Sequence, residues 1–304
     1  MKDREIIDIS EVLDVFLVSS KKIFVSSLTF SLLMFLFTFL LTDIYRAQSI
    51  LSVETSTESN YSNLSNQYGS IAALAGVNMP SSSKEEKALL AIQTIQSRDF
   101  LKTLSRINNL ILPNLLAANH YDKDTGLISY NETLFDIENS SWKENTEFSS
   151  GLEPSILEAH EVYIDILSIS FNSENGFIYI SIDHLSPKFA KEFIEIIVSE
   201  LNDSIRSKDL LKSSESLTFL YSELAKSQIS DIKNSINQLI KNQLETQMLA
   251  NVNKDYVISY LDRPYEAIER LEPNRMLIGL VTFILIFSFG TFGVLFKHYV
   301  LNKN

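Results

Sequence analysis

Side chains able to do chemistry are few and scattered in this sequence. The four histidines are His120, His160, His184 and His298. None stands in the HxxxH or HExxH spacing that puts two zinc ligands on one helix face. There is no cysteine, which excludes disulfides, thiolate metal sites and cysteine nucleophiles. No GxSxG elbow presents a serine, and no phosphate-cradling glycine loop is present. Asp122-Lys123-Asp124-Thr125-Gly126 opens like a calcium loop. Its twelfth position is Thr133, where that loop needs a bidentate glutamate, so it reads as a surface turn. Carboxylates are abundant, but sequence spacing alone cannot place two of them across a substrate. The expectation is a protein that is not an enzyme and holds no metal and no cofactor.

The elements carry a stronger signal than the residues. Ile23 to Leu41 and Met276 to Phe296 are free of charge. A bilayer core about 30 Å thick needs roughly 20 apolar helical residues, and both runs meet that length. A cleaved leader fits the first run poorly, because Asp43-Ile44-Tyr45-Arg46 follows it in place of small residues. The chain is therefore expected to divide into a cytoplasmic tail 1–22, a transmembrane helix 23–41, an outer domain 42–275, a transmembrane helix 276–296 and a cytoplasmic tail 297–304. Lys2, Arg4, Lys21 and Lys22 before the first span, with Lys297 and Lys303 after the second, favour both termini inside. The region 43–275 holds 33 acidic and 20 basic residues. The formal net charge of the chain, -12, argues against nucleic acid as a partner. Neither span carries an ionisable residue, which speaks against a pump or proton-coupled transporter. Gly279, Gly290 and Gly293 would let another helix approach the second span closely.

Within the outer domain, Tyr45–Val53 reads as a strand. Gly69 to Val77 is a small-residue apolar patch, with Ala72 and Gly76 a guess at an interface. A helix is expected from the Ser81–Ser83 cluster to about Leu104, with Leu89, Ile92, Ile95 or Gln96, and Phe100 recurring at helical spacing. Residues 117–150 read as irregular and polar. Val162–Phe171 and Phe177–His184 form a predicted hairpin closed by Asn175-Gly176. Ser186 and Pro187 then open a long helix, about 187–250. Unbroken, it would reach about 90 Å at 1.5 Å per residue. The cluster Ser213, Ser214 and Ser216 marks the expected bend. Such a helix projects from its domain or packs on copies of itself. A last strand, Tyr256–Leu261, leads through Pro264 and Pro273 to the second span, and it can pair with the first strand if the spans are neighbours. Ser10 is a candidate cap for a short helix in the tail. That tail either lies on the membrane surface or extends the first span.

This layout resembles the Wzz-like chain-length determinants, also called polysaccharide co-polymerases. The tail Ile6-Ile7-Asp8-Ile9-Ser10-Glu11-Val12-Leu13 precedes the first span as in that family. Tyr45-Arg46-Ala47-Gln48-Ser49-Ile50-Leu51 looks like its first periplasmic strand. Ile71-Ala72-Ala73-Leu74-Ala75-Gly76, followed by Ile95-Gln96-Ser97-Arg98-Asp99-Phe100-Leu101, is similar to its small-residue segment and helix. Tyr256 to Pro264, then Pro273-Asn274-Arg275, looks like its proline-rich approach to the second span. The match departs from the family in having only Pro264 and Pro273 there and no alanine before the first of them.

The resemblance implies an α+β fold: two transmembrane helices flanking a periplasmic α/β domain with a long projecting helix. It implies a regulator of surface polysaccharide chain length, such as O-antigen lipopolysaccharide, at a bacterial inner membrane. Such proteins form ring-like homo-oligomers and act without known catalysis beside a polysaccharide polymerase and its lipid-linked glycan. An inner-membrane component of capsule or exopolysaccharide export is the alternative. The family's kinase-bearing relatives add a cytoplasmic domain that is not expected after Asn304.

Overall fold

The computed structural model describes residues 9–54, 84–144, 148 and 154–297, with side chains from Val18 onward. It falls into two compact units, Met1–Ile44 with Glu269–Asn304, and Tyr45–Ile268. The predicted patch 69–77, with Ala72 and Gly76, and the Ser81–Ser83 cluster lie outside the described residues. The first unit begins with helix α1, Ile9–Phe37, which a 3-10 turn Thr38–Leu40 continues. Ser10 therefore sits inside this helix and is not its cap. From Ile9 the tail is an extension of the span, with no separate surface helix.

The second unit is built on strand β1, Tyr45–Val53, with the predicted bounds. Tyr45, Ala47, Ser49, Leu51 and Val53 alternate inward, as a half-buried strand requires. The expected single helix before Leu104 is two helices, α2 Lys84–Ile95 and α3 Arg98–Ile107. Ser97 makes the break. Its Oγ accepts from the Phe100 amide at 3.2 Å and donates to the Thr94 carbonyl at 2.8 Å, capping the second helix. The buried stripe of α2 is Ala88, Ala91, Ile92 and Ile95, whereas Leu89 points outward. Small alanines let α2 lie close against its neighbours, so the larger Leu89 is displaced from that face.

Helix α4, Ile111–Leu116, leads into two short hairpins: β2 Ala118–Tyr121 with β3 Ile128–Tyr130, and β4 Phe135–Asp136 with β5 Ser141–Trp142. The stretch expected to be irregular thus has its own small core. Ala117, Leu134 and Phe135 are buried there, with Tyr130, Trp142 and Phe148 packed on them. Asp122 does sit in a surface turn. Its carboxylate accepts from the Asp124 amide and the Thr125 hydroxyl, and Gly126 takes φ 70°.

Helix α5, Ile156–Ile166, opens on a capping box between Ser155 and Glu158. Strands β6 Leu167–Asn172 and β7 Phe177–His184 follow. Val162 to Ile166 is therefore helical, where the sequence reading began the strand. The capping box and the buried Tyr163, whose hydroxyl donates to the Ile95 carbonyl at 2.9 Å, hold that segment in the helix.

The long helix is also divided. Helix α6 spans Pro187–Lys226 and α7 spans Ser230–Val252. The first reaches about 60 Å. Ser227 to Ile229 is extended, and α7 returns antiparallel to the outer half of α6. Leu217 and Leu220 pack against Ile236 and Ile240. The serine cluster is not the bend. Ser213 is buried in the helix pair and donates to the Gln243 carbonyl at 2.9 Å, where a small residue permits close packing. Strand β8, Ile258–Asp262, completes an antiparallel sheet in the order β6-β7-β1-β8. The predicted pairing of first and last strands is present, with Leu51 opposite Tyr260 and Val53 opposite Ile258. The inner half of α6 covers the sheet, burying Phe193, Ile194, Ile197 and Leu201 against Leu51, Ile178, Ile180 and Ile182. Helix α8, Arg275–Phe296, closes the chain's first unit.

Candidate membrane-packing site

Val18–Leu40 and Arg275–Phe296 are long and apolar enough to cross a membrane. Their mutual packing assigns the glycines. A Cβ on Gly290 would lie 2.8 Å from Cγ2 of Ile23, and one on Gly279 would lie 3.7 Å from Phe35 and Ser31. Both glycines therefore face α1 of the same chain. Nothing lies within 4 Å of the corresponding position on Gly293, which faces away. Ile23, Ser27 and Ser31 recur every four residues on α1. Ser27 is fully buried, and the Ser31 hydroxyl donates to the Gly279 carbonyl at 2.7 Å. Small residues and a hydroxyl-to-carbonyl bond are what hold helices together in lipid, where the hydrophobic effect gives no drive.

At the Thr38–Arg275 end of this pair sits a charged clamp that the sequence reading missed. The Asp43 carboxylate accepts from the Arg275 guanidinium at 2.8 Å, and Arg270 stands 3.9 Å from its other oxygen. The Arg275 guanidinium also stacks over the Phe39 ring at 4.2 Å, a cation–π contact. The backbone doubles the link. Ile44 donates to the Glu272 carbonyl at 3.0 Å, and Leu271 donates to the Ile44 carbonyl at 2.7 Å. The signal available was Asp43 just after one apolar run and Arg275 just before the other. Pro273 lies within this junction after a cis peptide bond. Pro264, by contrast, is buried in the second unit, just beyond β8. Of the seven residues proposed from sequence, five fall among the described residues, and these five lie in different places. Gly279, Gly290 and Pro273 belong to the span pair, Gly293 to its open face and Pro264 elsewhere.

Among the described residues, no group of three His, Asp or Glu side chains could hold a metal ion. A surface cavity of about 670 Å³ is lined by Glu195, Asp203, Asp255, Arg206, Lys254 and Arg263. Opposite charges balance there, with Arg206 bonded to Asp203 and Arg263 over the Tyr260 ring at 4.9 Å. Burial pushes the Tyr260 hydroxyl up to about 12, which makes it a poor base at neutral pH. His184 is buried and held neutral, below its ordinary range, by desolvation. Its Nε2 donates to the Asn114 carbonyl, and its Nδ1 accepts from the Ser186 amide. Both nitrogens are committed to structure.

Comparison with known proteins bears on the same elements. Residues 5–106 match the family model described as "Wzz: Chain length determinant protein". Among solved structures, the chain is similar to a full-length bacterial polysaccharide co-polymerase, at 12% identity and TM-score 0.38, over 99% of each chain. It is also similar to a fragment of WzzB, the polysaccharide co-polymerase of Salmonella Typhimurium, at 12% identity and TM-score 0.30, over 76% of this chain and all of that one. No curated protein sequence matches. The family match takes in the first span, β1, α2 and all but the last residue of α3, so over residues 5–106 this chain is a match to the Wzz chain length determinant family.

Proposed function

We propose that this protein regulates the chain length of a surface polysaccharide, O-antigen lipopolysaccharide being the favoured case. It does so from a bacterial inner membrane, with both termini cytoplasmic and the Tyr45–Ile268 unit periplasmic. It acts without catalysis, as a ring-like homo-oligomer beside a membrane polymerase and its lipid-linked glycan. The single observation that carries the reading is the family match over residues 5–106. The pair of apolar helices near the two ends of the chain supports it. So does the commitment of the buried histidine to structural hydrogen bonds.

The test is the surface glycan ladder on a gel, in a deletion strain and in the same strain complemented. A clustered length that becomes a random spread, and is restored by the gene, supports regulation of length. An unchanged ladder refutes it. Complete loss of polymer refutes it too, and points to export or synthesis.

A further inference from the structure

A cavity of about 530 Å³ opens at the Thr38–Arg275 end of the two candidate spans. Every residue lining it belongs to the span unit. Phe35, Phe39, Leu271 and Met276 give it an apolar wall, and Arg270 and Arg275 give it charge. Among the described residues, no carboxylate lines it. Glu269 and Glu272 belong to the same stretch of chain, but both are exposed and neither lines the cavity. Asp43 is one carboxylate between two guanidinium groups, so one positive charge is left over. Its hydrogen bond is with Arg275. Arg270 stands 3.9 Å away, beyond hydrogen-bond reach, and keeps its planar fork of donors for another acceptor. Arg275 is incompletely satisfied too. Its Nε is buried without a hydrogen-bond partner, whereas a buried donor normally has one. The last turn of a span lies where hydrocarbon gives way to headgroups. A ligand that meets both the guanidinium donors and the apolar wall there is an amphiphile with an anionic head. Phosphate is the head that an arginine fork fits best.

We infer that this cavity holds the phosphate of an anionic phospholipid, with Arg270 and Arg275 on the phosphate and the first acyl carbons against Phe35 and Phe39. A soluble anion would leave the apolar wall uncovered. A zwitterionic headgroup would bring its own cation to a site that already has one to spare. The inference rests on the membrane assignment and does not depend on the glycan.

The full chain, purified in detergent, would be offered equal amounts of phosphatidylglycerol and phosphatidylcholine, and the lipid retained would be read by native mass spectrometry. Preferential retention of a single phosphatidylglycerol is expected. Arg270→Gln spares the hydrogen bond between Asp43 and Arg275, so the chain should fold. It should hold that lipid about fivefold more weakly, the worth of one basic residue against an anionic lipid. Lys297→Gln, at the opposite end of α8, should hold it like the wild type. Equal retention of the two lipids would overturn the inference, as would an Arg270→Gln chain that binds like the wild type. Equal losses in the two variants would also sink it, because general basicity would then account for the binding. So would displacement by an equal concentration of glycerol phosphate, because the acyl carbons would then contribute nothing. A chain that stays in solution without detergent or lipid would remove the membrane assignment and the inference with it. A chain that needs detergent but does not select between the lipids would sink the cavity alone.

Discussion

His184 joins three elements through one ring. It ends β7, donates to Asn114 of α4 and accepts from the Ser186 amide at the start of α6, while Phe189 packs on it at 4.5 Å. A proton on Nδ1 would face the Ser186 N–H and break that bond. Desolvation lowers its proton affinity below the ordinary 6.5, so the unfolded chain binds the proton first as pH falls. Stability is then fully present above about pH 6.5 and declines below it, until the folded form also protonates. A fall in stability between pH 7 and 5 is expected, read by denaturant unfolding. The variant His184→Gln should flatten that slope; an unchanged slope would show that other groups set it. Glycines of the second span make a paired test at the same scale. Leucine at Gly290 meets Ile23 at once and should lower the thermal midpoint in detergent by several degrees. A Cβ on Gly293 meets nothing within 4 Å, and leucine there should leave the midpoint alone. Sequence placed both glycines on a candidate packing helix, but could not say which one faces α1, because that depends on the register of two helices.

Legibility varies from element to element for physical reasons. Strand β1 was readable because its inward alternation is unbroken from Tyr45 to Val53. The division of the long helix was not, because Ser227-Gln228-Ile229 contains neither glycine nor proline. Its reversal is set by distant apolar partners, Leu217 and Leu220 meeting Ile236 and Ile240. Asn202 seals the return. Its side chain is 3% exposed, donates to the Val198 and Ile258 carbonyls and accepts from the Val257 and Ile258 amides. Nothing in the sequence marks that asparagine as different from the rest. The Asp43–Arg275 clamp was similarly hidden, its partners being 232 residues apart. Two substitutions probe the helix pair. Ser213→Leu forces a large side chain into a site that is 1% exposed and removes the bond to Gln243, so a loss of about 2–3 kcal/mol is expected. The neighbour Ser214 is exposed, and Ser214→Ala should change stability by less than about 0.5 kcal/mol. Thermal melts followed by circular dichroism would separate the two; equal effects would mean that the helices do not pack through Ser213.

Across the whole molecule, the solvents of the two units differ. The Tyr45–Ile268 unit has its own core, since every residue of the main buried cluster lies between Ala47 and Ile258. It is held by area removed from water, which urea weakens directly. The other unit exposes most of its described large apolar side chains, among them Phe30, Leu33, Leu280 and Phe289. In lipid or detergent those surfaces are solvated by hydrocarbon, and the helical backbone bonds have no water competing for them. Urea therefore acts strongly on one unit and weakly on the other. Urea titration of the full chain in detergent micelles should give a cooperative loss of near-ultraviolet signal from Trp142 and the tyrosines of the larger unit. A helical far-ultraviolet signal should remain beyond that transition, carried by Ile9–Phe37 and Arg275–Phe296. Within the larger unit, the outer α6–α7 pair rests on the small cluster around Leu217 and Ile240, separate from the main core. Its amides should exchange with deuterium sooner than those of β1 and β7, as expected of a region with few buried contacts. Complete loss of helix in the same transition as the aromatic signal would mean that the spans depend on the folded larger unit, and that the chain behaves as one cooperative body.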